Sequence, residues 1–141
     1  MISSEAFPAR ALQAFSLAVR FQKFLVVGTV GLAVNQAGLF LLHDIVGLRL
    51  LSSSVLAILA SMAVTFALNE IWTWHDRGSG LIVHRLGKYV PINTGGLIIN
   101  AGILAFLVNQ YDAHHLFANL IGAGIAAIWN FSLNNLITWR D

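Results

Sequence analysis

The sequence predicts an all-α integral membrane protein with four transmembrane helices, arranged as two parallel two-helix repeats and preceded by an N-terminal interfacial amphipathic helix. Two observations lead to this prediction. Hydrophobic residues make up 57% of the 141 residues and charged residues 10%, whereas a soluble domain averages about 25% charged residues. In addition, the second half of the chain repeats the first half at one fixed offset. The composition excludes most classes of soluble enzyme and binding domain, and the repeat indicates how the helices are paired.

Four apolar stretches are each long enough to cross the hydrocarbon core of a bilayer, which takes about 20 residues of helix. They cover residues 24–42, 55–72, 89–108 and 116–137. Each stretch is apolar throughout and does not alternate in polarity as membrane β-strands do, which favours helices. We therefore predict four spanning helices joined by short connections.

Residues 1–19 precede the first predicted span and have a periodicity of their own. Leu12, Phe15 and Val19 recur at intervals of three or four residues, which is the spacing of one helical face. This pattern predicts an amphipathic helix lying in the plane of the lipid headgroups. A poorly ordered tail is the alternative, since chain termini are often loosely held.

The internal repeat is found by aligning the chain with itself at an offset of 65 residues. Residues 20–76 then align without a gap with residues 85–141, and 15 of the 57 aligned positions are identical. The identities include polar pairs such as Asn69 with Asn134, which chance does not explain in an apolar chain. Because each repeat holds two spans, both repeats enter the membrane from the same face, and residues 77–84 form a connector there. The repeats are therefore predicted to be parallel, unlike the inverted repeats of many transporters.

Positive charge indicates which face is cytoplasmic, because Lys and Arg near the ends of spans are retained on that side. In the predicted arrangement Arg49 alone lies on the opposite side. The other side holds the remaining seven basic residues: Arg10, Arg20, Lys23, Arg77, Arg85, Lys88 and Arg140. Both termini and the connector are therefore predicted to be cytoplasmic. The net charge of +2 is too small to indicate a nucleic-acid partner.

Amide side chains are frequent inside the predicted spans. An amide in hydrocarbon is costly unless it is paired, so these groups must bond to one another or line a polar path. We predict a polar seam formed by one carboxylate and five amides: Asn35, Asn69, Glu70, Asn100, Asn134 and Asn135. Interhelical hydrogen bonding without a path is the alternative for the amides. Glu70 is a candidate for proton coupling or hydroxyl binding, with an interfacial salt bridge as the alternative.

Two basic pairs lie just before the first and third spans. Arg20 with Lys23, and Arg85 with Lys88, are each three residues apart and share one helical face. Such pairs suit a phosphate, to which Arg presents a planar fork and Lys a point charge. Ordinary anchoring on the cytoplasmic side is the alternative.

Aromatic residues mark the same boundary. Trp72, Trp74 and Trp139 are predicted to be interface residues, either as part of an aromatic belt or as surfaces on which a sugar stacks. The chain has no cysteine, and no glycine-rich phosphate loop or Ser/His/Asp set is present. We therefore predict no catalytic residue, no metal site and no cofactor, and a protein that is not an enzyme.

The repeated segments resemble a known family. They are residues 20–28 (RFQKFLVVG) followed by Gly31 and Asn35, and residues 66–74 (FALNEIWTW), which recur in the second repeat most clearly at 129–139 (WNFSLNNLITW). In these motifs the chain resembles the GtrA-like family of small four-span bacterial membrane proteins. The resemblance covers the chain from the first repeat onward and implies a bacterial inner-membrane location.

Members of that family are implicated in moving polyprenyl-phosphate-linked monosaccharides from the cytoplasmic leaflet to the outer one, for modification of surface polysaccharide. The resemblance implies that the lipid phosphate is held by the basic pairs: Arg20, Lys23, Arg85 and Lys88. It also implies that sugar hydroxyls meet polar side chains of the spans: Asn35, Asn69, Glu70, Asn100 and Asn134.

Three functions are consistent with these features. The first is a non-enzymatic flippase for a polyprenyl-phosphate sugar, acting as a homo-oligomer because four helices enclose little space. The second is an accessory subunit that docks a glycosyltransferase and transports nothing, using its small-residue helix faces. The third is a proton-coupled exporter of the small multidrug type, in which Glu70 would carry the proton.

Overall fold

The computed structural model of the protein describes residues 6–78 and 80–140, and every regular element within those residues is helical. Four α-helices follow one another: α1 (Ala6–Leu39), α2 (Leu50–Leu68), α3 (Ile82–Tyr111) and α4 (His115–Leu133). Three π-helical segments continue them: π1 (Phe40–Ile45) after α1, π2 (Asn69–Thr73) after α2 and π3 (Asn134–Thr138) after α4. All four helical stretches are long and apolar enough to cross a membrane. The predicted all-α membrane protein with four spans is confirmed.

Helix α1 is longer than the first predicted span. It has 34 residues and continues through π1 to Ile45, which gives a rod of about 60 Å at 1.5 Å per residue. The predicted segment 1–19 is helical from residue 6 onward, but no break separates it from the span, and residues 1–5 lie outside the described residues. Its apolar side chains Leu12 and Phe15 are exposed. The segment and the first span therefore form one continuous helix, and the position of the segment in the plane of the headgroups stays a prediction.

The chain divides into two compact units, Met1–His75 and Asp76–Asp141. The first unit contains α1 and α2 with their π segments, and the second contains α3, α4 and π3. Within each unit a short connection folds the two helices into an antiparallel hairpin. Gly47 (φ 86°) lies in the first connection, and Asp112 (φ 51°) ends α3 in the second. Left-handed residues of this kind are the usual way to end a helix abruptly.

Small and polar side chains fill the contact between the helices of the first hairpin. Ser61 Oγ donates a 2.7 Å hydrogen bond to the carbonyl of Gly31, and a carbon added at Gly31 would collide with Thr65. Gly38 faces Ala57 in the same way. Backbones that approach this closely gain van der Waals contact. This contact drives helix association in lipid, because the lipid tails are as apolar as the side chains and the hydrophobic effect does not favour association.

The second hairpin uses the equivalent contact with larger amides. Gly96, which aligns with Gly31 in the repeat, packs against the side chain of Asn130, and Gly122 packs against Asn100. Asn130 aligns with Thr65. The two hairpins therefore share the position of their close contact but fill it with hydroxyls in one case and amides in the other.

Proline in the second hairpin does not end its helix. Helix α3 runs through Pro91, where the missing N–H disturbs the ladder of backbone bonds. The indole Nε1 of Trp129 donates a 3.0 Å hydrogen bond to the carbonyl of Ile92. Gly95 provides the space for this ring, since a carbon added there would lie 3.1 Å from Nε1. A side chain of α4 thus supplies an extra donor next to the proline.

The substitution Gly31→Ala should destabilise the first hairpin, because the added methyl group would collide with Thr65. We expect the free energy of unfolding to fall by about 1–3 kcal/mol, as in other overpacked contacts. The matched control is Gly28→Ala on the same helix, where nothing lies within 4 Å of the added carbon and alanine has the higher helix propensity. Unfolding by SDS in mixed micelles measures both variants. Equal losses would contradict the close contact at Gly31.

Candidate functional site

The C-terminal end of the first hairpin holds a cluster of buried polar and aromatic side chains. Trp74 is fully buried, and its ring meets that of Phe24 edge-on with the centroids 5.8 Å apart. Asn69 is also buried, and its Oδ1 accepts a 2.8 Å hydrogen bond from Thr73 Oγ1. The backbone N–H of Trp74 donates to the carbonyl of Asn69, five residues earlier, at 2.8 Å. This bond closes the wide last turn of π2.

The second hairpin ends in the same way. Trp139 is fully buried and meets Tyr89 edge-on at 5.7 Å between centroids. Asn134 Oδ1 accepts a 2.7 Å hydrogen bond from Thr138 Oγ1, and the N–H of Trp139 donates to the carbonyl of Asn134 at 2.9 Å. The sequence repeat therefore corresponds to a repeated structural motif. Phe24, which faces Trp74, and Tyr89 were absent from the predicted sites because aromatic identity differs between the repeats.

The predicted basic pairs separate into a buried arginine and a more exposed lysine. Arg20 is 8% exposed, and its NH1 donates a 2.8 Å hydrogen bond to the carbonyl of Thr73. Arg85 is 9% exposed, and its NH1 donates at 3.1 Å to the carbonyl of Gly80. A carbon added at Gly78 would lie 3.2 Å from the Arg85 side chain. Each guanidinium thus donates at least one hydrogen bond to a backbone carbonyl of its own unit.

The two lysines have different surroundings. Lys23 is half-buried, and its Nζ lies 5.6 Å from the centroid of the Trp72 ring, within the range of a cation–π interaction. Lys88 is exposed. Ile137 takes the place of Trp72 in the second repeat, so Lys88 lacks the equivalent aromatic partner. The two lysines occupy equivalent positions in the repeats, but only Lys23 contacts an aromatic ring at this position.

The tryptophans predicted at the interface also divide into two groups. Trp72 is 41% exposed, as an interface ring should be, whereas Trp74 and Trp139 are 0% exposed. The buried rings differ from the predicted belt because each packs against an aromatic side chain of its own hairpin. Neither ring presents a surface to a headgroup or a sugar.

Several amides of the predicted seam have buried atoms with unmet hydrogen-bonding capacity. Four buried side-chain atoms in the described part of the chain have no hydrogen-bond partner: Asn69 Nδ2, Asn100 Oδ1, Asn130 Oδ1 and Asn134 Nδ2. A buried group left in this state costs about 1–3 kcal/mol. Asn130 was not among the predicted seam residues, although its alignment with Thr65 marked a polar position in both repeats.

The other seam residues have a range of environments. Asn35 and Glu70 are half-buried. Asn135 Oδ1 accepts a 3.1 Å hydrogen bond from NH1 of Arg77, a residue that the sequence placed only in the cytoplasmic connector. The seam residues therefore lie partly in the helix contacts and partly near the ends of the hairpins.

These features define the class of the protein: a multi-pass membrane protein built from two tandem helical hairpins, with amides buried in its spans and basic residues near the ends of the hairpins. Residues 23–139 match the family described as GtrA/DPMS, transmembrane domain. The chain belongs to this family, as the resemblance of its repeated motifs predicted.

A curated relative shares most of this chain. The dolichol-phosphate mannosyltransferase of Pyrococcus furiosus is 30% identical over 120 residues. The match covers 85% of this chain and 34% of the relative. The chain thus spans about a third of the length of that protein, and most of the relative lies outside the match.

The substitution Arg20→Gln should destabilise the end of the first hairpin, because it removes a buried charged donor from the carbonyl of Thr73. We expect a loss of about 1.5–3 kcal/mol, the range for a hydrogen bond to a charged group. Arg10→Gln on the exposed part of the same helix is the matched control, since it removes the same charge without a buried contact. Thermal unfolding in detergent, followed by size-exclusion chromatography, compares them. Equal stability of the two variants would contradict a structural role for Arg20.

Proposed function

We propose that the protein moves a polyprenyl-phosphate-linked monosaccharide from the cytoplasmic leaflet to the outer leaflet, for modification of cell-surface polysaccharide. Family membership supports a role with such lipids, and the matched relative is named for dolichol phosphate, which is itself a polyprenyl phosphate. The observation that carries the proposal is the set of buried amide atoms without partners at matching positions of both hairpins, Asn69 Nδ2 and Asn134 Nδ2.

The physical difficulty of this reaction is the passage of sugar hydroxyls through hydrocarbon. Each hydroxyl that leaves water without a new partner costs several kcal/mol. Amides inside the spans, such as Asn35 and Asn100, would supply both donors and acceptors along the way. The phosphate would remain at headgroup depth near the lysines Lys23 and Lys88 while the sugar crosses. This mechanism requires neither a catalytic residue nor a cofactor.

The path would be completed in a homo-oligomer. Four helices bury few of their own side chains, and large apolar residues on every span remain exposed, for example Leu51 at 77% and Leu120 at 70%. Lipid covers most of this surface, and a second copy would cover the part that faces the path. Small residues on the helix faces suit such close association.

A second candidate function is an accessory subunit that docks a glycosyltransferase and transports nothing. One observation favours it: in the matched relative, a protein named as a mannosyltransferase, the region similar to this chain covers 34% of the length. A domain carried within a larger transferase could act as its membrane anchor. In this chain the same domain would bind a separate transferase.

We further propose that the protein lies in a bacterial inner membrane with both termini in the cytoplasm, as the seven-to-one distribution of basic residues indicates. The chain contains no cysteine, so single cysteines report topology directly. His84→Cys lies in the connector and Val46→Cys in the first interhelical turn, and both positions are exposed. A membrane-impermeant maleimide should label Val46→Cys in intact cells and His84→Cys only after permeabilisation. The reverse pattern would contradict the orientation.

Transport is tested by reconstitution. Purified protein in liposomes that carry polyprenyl-phosphate mannose in one leaflet should move the lipid to the other leaflet faster than liposomes without protein. The double variants Lys23→Ala/Lys88→Ala and Asn35→Ala/Asn100→Ala should each slow transfer at least about tenfold, because a lost charged or buried polar contact costs about 1.5–3 kcal/mol. Arg10→Gln, whose side chain is exposed, is the matched control and should transfer at the wild-type rate.

The outcomes separate the two candidate functions. Transfer at the rate of protein-free liposomes would contradict the flippase. Co-reconstitution of a polyprenyl-phosphate glycosyltransferase whose activity then depends on this protein would support the accessory role. Wild-type rates in both double variants would contradict the roles assigned to these residues and would leave the transport function in place.

A further inference from the structure

The two repeats, which share most of their polar framework, differ at one exposed position beside the basic pair. Trp72 in the first repeat aligns with Ile137 in the second. The two side chains have nearly the same exposure, 41% and 44%. Each directly precedes the buried threonine and tryptophan that end its hairpin, Thr73 with Trp74 in the first repeat. The buried threonine and tryptophan are therefore the same in both repeats, whereas the exposed aromatic ring at this position is present on the first hairpin only.

Lys23 and Trp72 form a unit on that hairpin. The ammonium group lies over the indole ring, with Nζ 5.6 Å from the centroid. The described residues provide Nζ with no carboxylate and no hydrogen-bond acceptor. A charge that is held by a ring and lacks an ion-pair partner is oriented and still able to bind an anion.

The indole N–H of Trp72 is also available. Trp129, which is 41% exposed as well, donates its Nε1 proton to the carbonyl of Ile92. Trp72 Nε1 has no such acceptor among the described residues. The Trp72 ring thus offers an apolar face and a free donor next to a cation, so it can meet apolar and polar groups of one ligand together.

We propose that Lys23 and Trp72 together form the headgroup site for a glycosyl phosphate, with the phosphate on the ammonium group and the sugar on the indole, and that the second repeat has no equivalent site. This inference rests on the proposed function, because it names the site for the transported lipid. In a glycosyl phosphate the charged group and the sugar ring are joined through one oxygen atom. A site for it must present a cation within a few ångströms of a flat apolar surface, and Lys23 Nζ lies 5.6 Å from the centroid of the Trp72 ring.

The second hairpin lacks the aromatic part of this site. Lys88 is present and exposed, but the side chain at the position of Trp72 is Ile137, which has no π face and no donor. Lys88 could hold a phosphate but could not discriminate a sugar-bearing lipid from a plain one. The asymmetry therefore predicts one headgroup site per chain.

The same anionic chemistry has two sources in a membrane, the polyprenyl-linked headgroup and the phosphate of ordinary phospholipid, and binding measurements distinguish them. Wild-type protein in phosphatidylcholine nanodiscs is titrated with polyprenyl-phosphate mannose and, separately, with polyprenyl phosphate that carries no sugar. Phosphatidylglycerol is then added as a competitor. We expect the mannosylated probe to bind more tightly than the plain one and to resist competition.

Substitutions assign the two contacts. Trp72→Ile, which converts the position to the residue of the second repeat, should weaken binding of the mannosylated probe about fivefold or more and leave the plain probe unchanged, a loss in the range of one aromatic contact. Lys23→Gln should weaken both probes. Trp72→Phe retains a ring and should lie between wild type and Trp72→Ile, which keeps the test valid if the isoleucine variant folds poorly.

The second repeat supplies a matched control. Ile137→Ala alters the position aligned with Trp72 and should change binding of the mannosylated probe less than twofold. Unchanged binding of both probes by Trp72→Ile and Trp72→Phe would overturn the site, as would equal losses from Trp72→Ile and Ile137→Ala. Effective competition by phosphatidylglycerol would also overturn it and indicate a phospholipid anchor. Normal binding without any transfer in liposomes would instead contradict the transport function and leave the site intact.

Discussion

The structure depends on one constraint, which is that backbone carbonyls at the end of each hairpin need hydrogen-bond donors from the protein where burial excludes water. A helix ends with carbonyl groups that have no partner in the helix itself. In the first hairpin the carbonyl of Thr73 accepts a hydrogen bond from the buried Arg20, and the hydroxyl of Thr73 bonds to Asn69. The wide π turn allows Trp74 to bond five residues back and to place its ring in the hairpin. Arginine, asparagine, threonine and tryptophan are therefore parts of one device that ends a helix at the membrane boundary.

This device explains why asparagine, threonine and tryptophan recur at the 65-residue offset, whereas Arg85 donates to the carbonyl of Gly80. Asn134 and Thr138 repeat the side-chain bond of the first hairpin almost unchanged, at 2.7 Å in place of 2.8 Å. Identity at these positions therefore reflects the requirements of a helical hairpin in lipid. The position of Trp72 and Ile137 differs between the repeats and is free of that structural role, since both side chains are exposed.

The sequence allowed the four spans to be predicted because a continuous apolar run of about 20 residues matches the thickness of a bilayer and is rare in soluble domains. The offset of the repeat also indicated equivalent contacts, such as Gly31 and Gly96 at the close approach of their helices. The burial of Trp74 could not be predicted, because a tryptophan near a boundary fits a lipid belt as well as a packed core. The π segments were missed since one extra residue in a turn leaves no mark on the hydrophobic pattern. The sequence did not distinguish the arginine from the lysine of each basic pair. The spacing of three residues places both on one helical face, but it does not predict which side chain reaches a backbone carbonyl.

The predicted parallel arrangement of the repeats limits how the proposed transport could proceed. Inverted repeats provide two exchanged conformations, one open to each side, and a chain whose repeats each cross the membrane twice is predicted to lack that symmetry. The protein must then stabilise the headgroup inside the membrane with side chains that gain hydrogen bonds when the headgroup binds. The unpartnered amides fit this requirement, since a buried atom without a partner, such as Asn100 Oδ1, costs about 1–3 kcal/mol, which a bonded hydroxyl would offset. A single charged site at one end and unmet amides along the helices would together make the sugar-bearing headgroup a better occupant of the hairpins than the acyl chains that otherwise surround them.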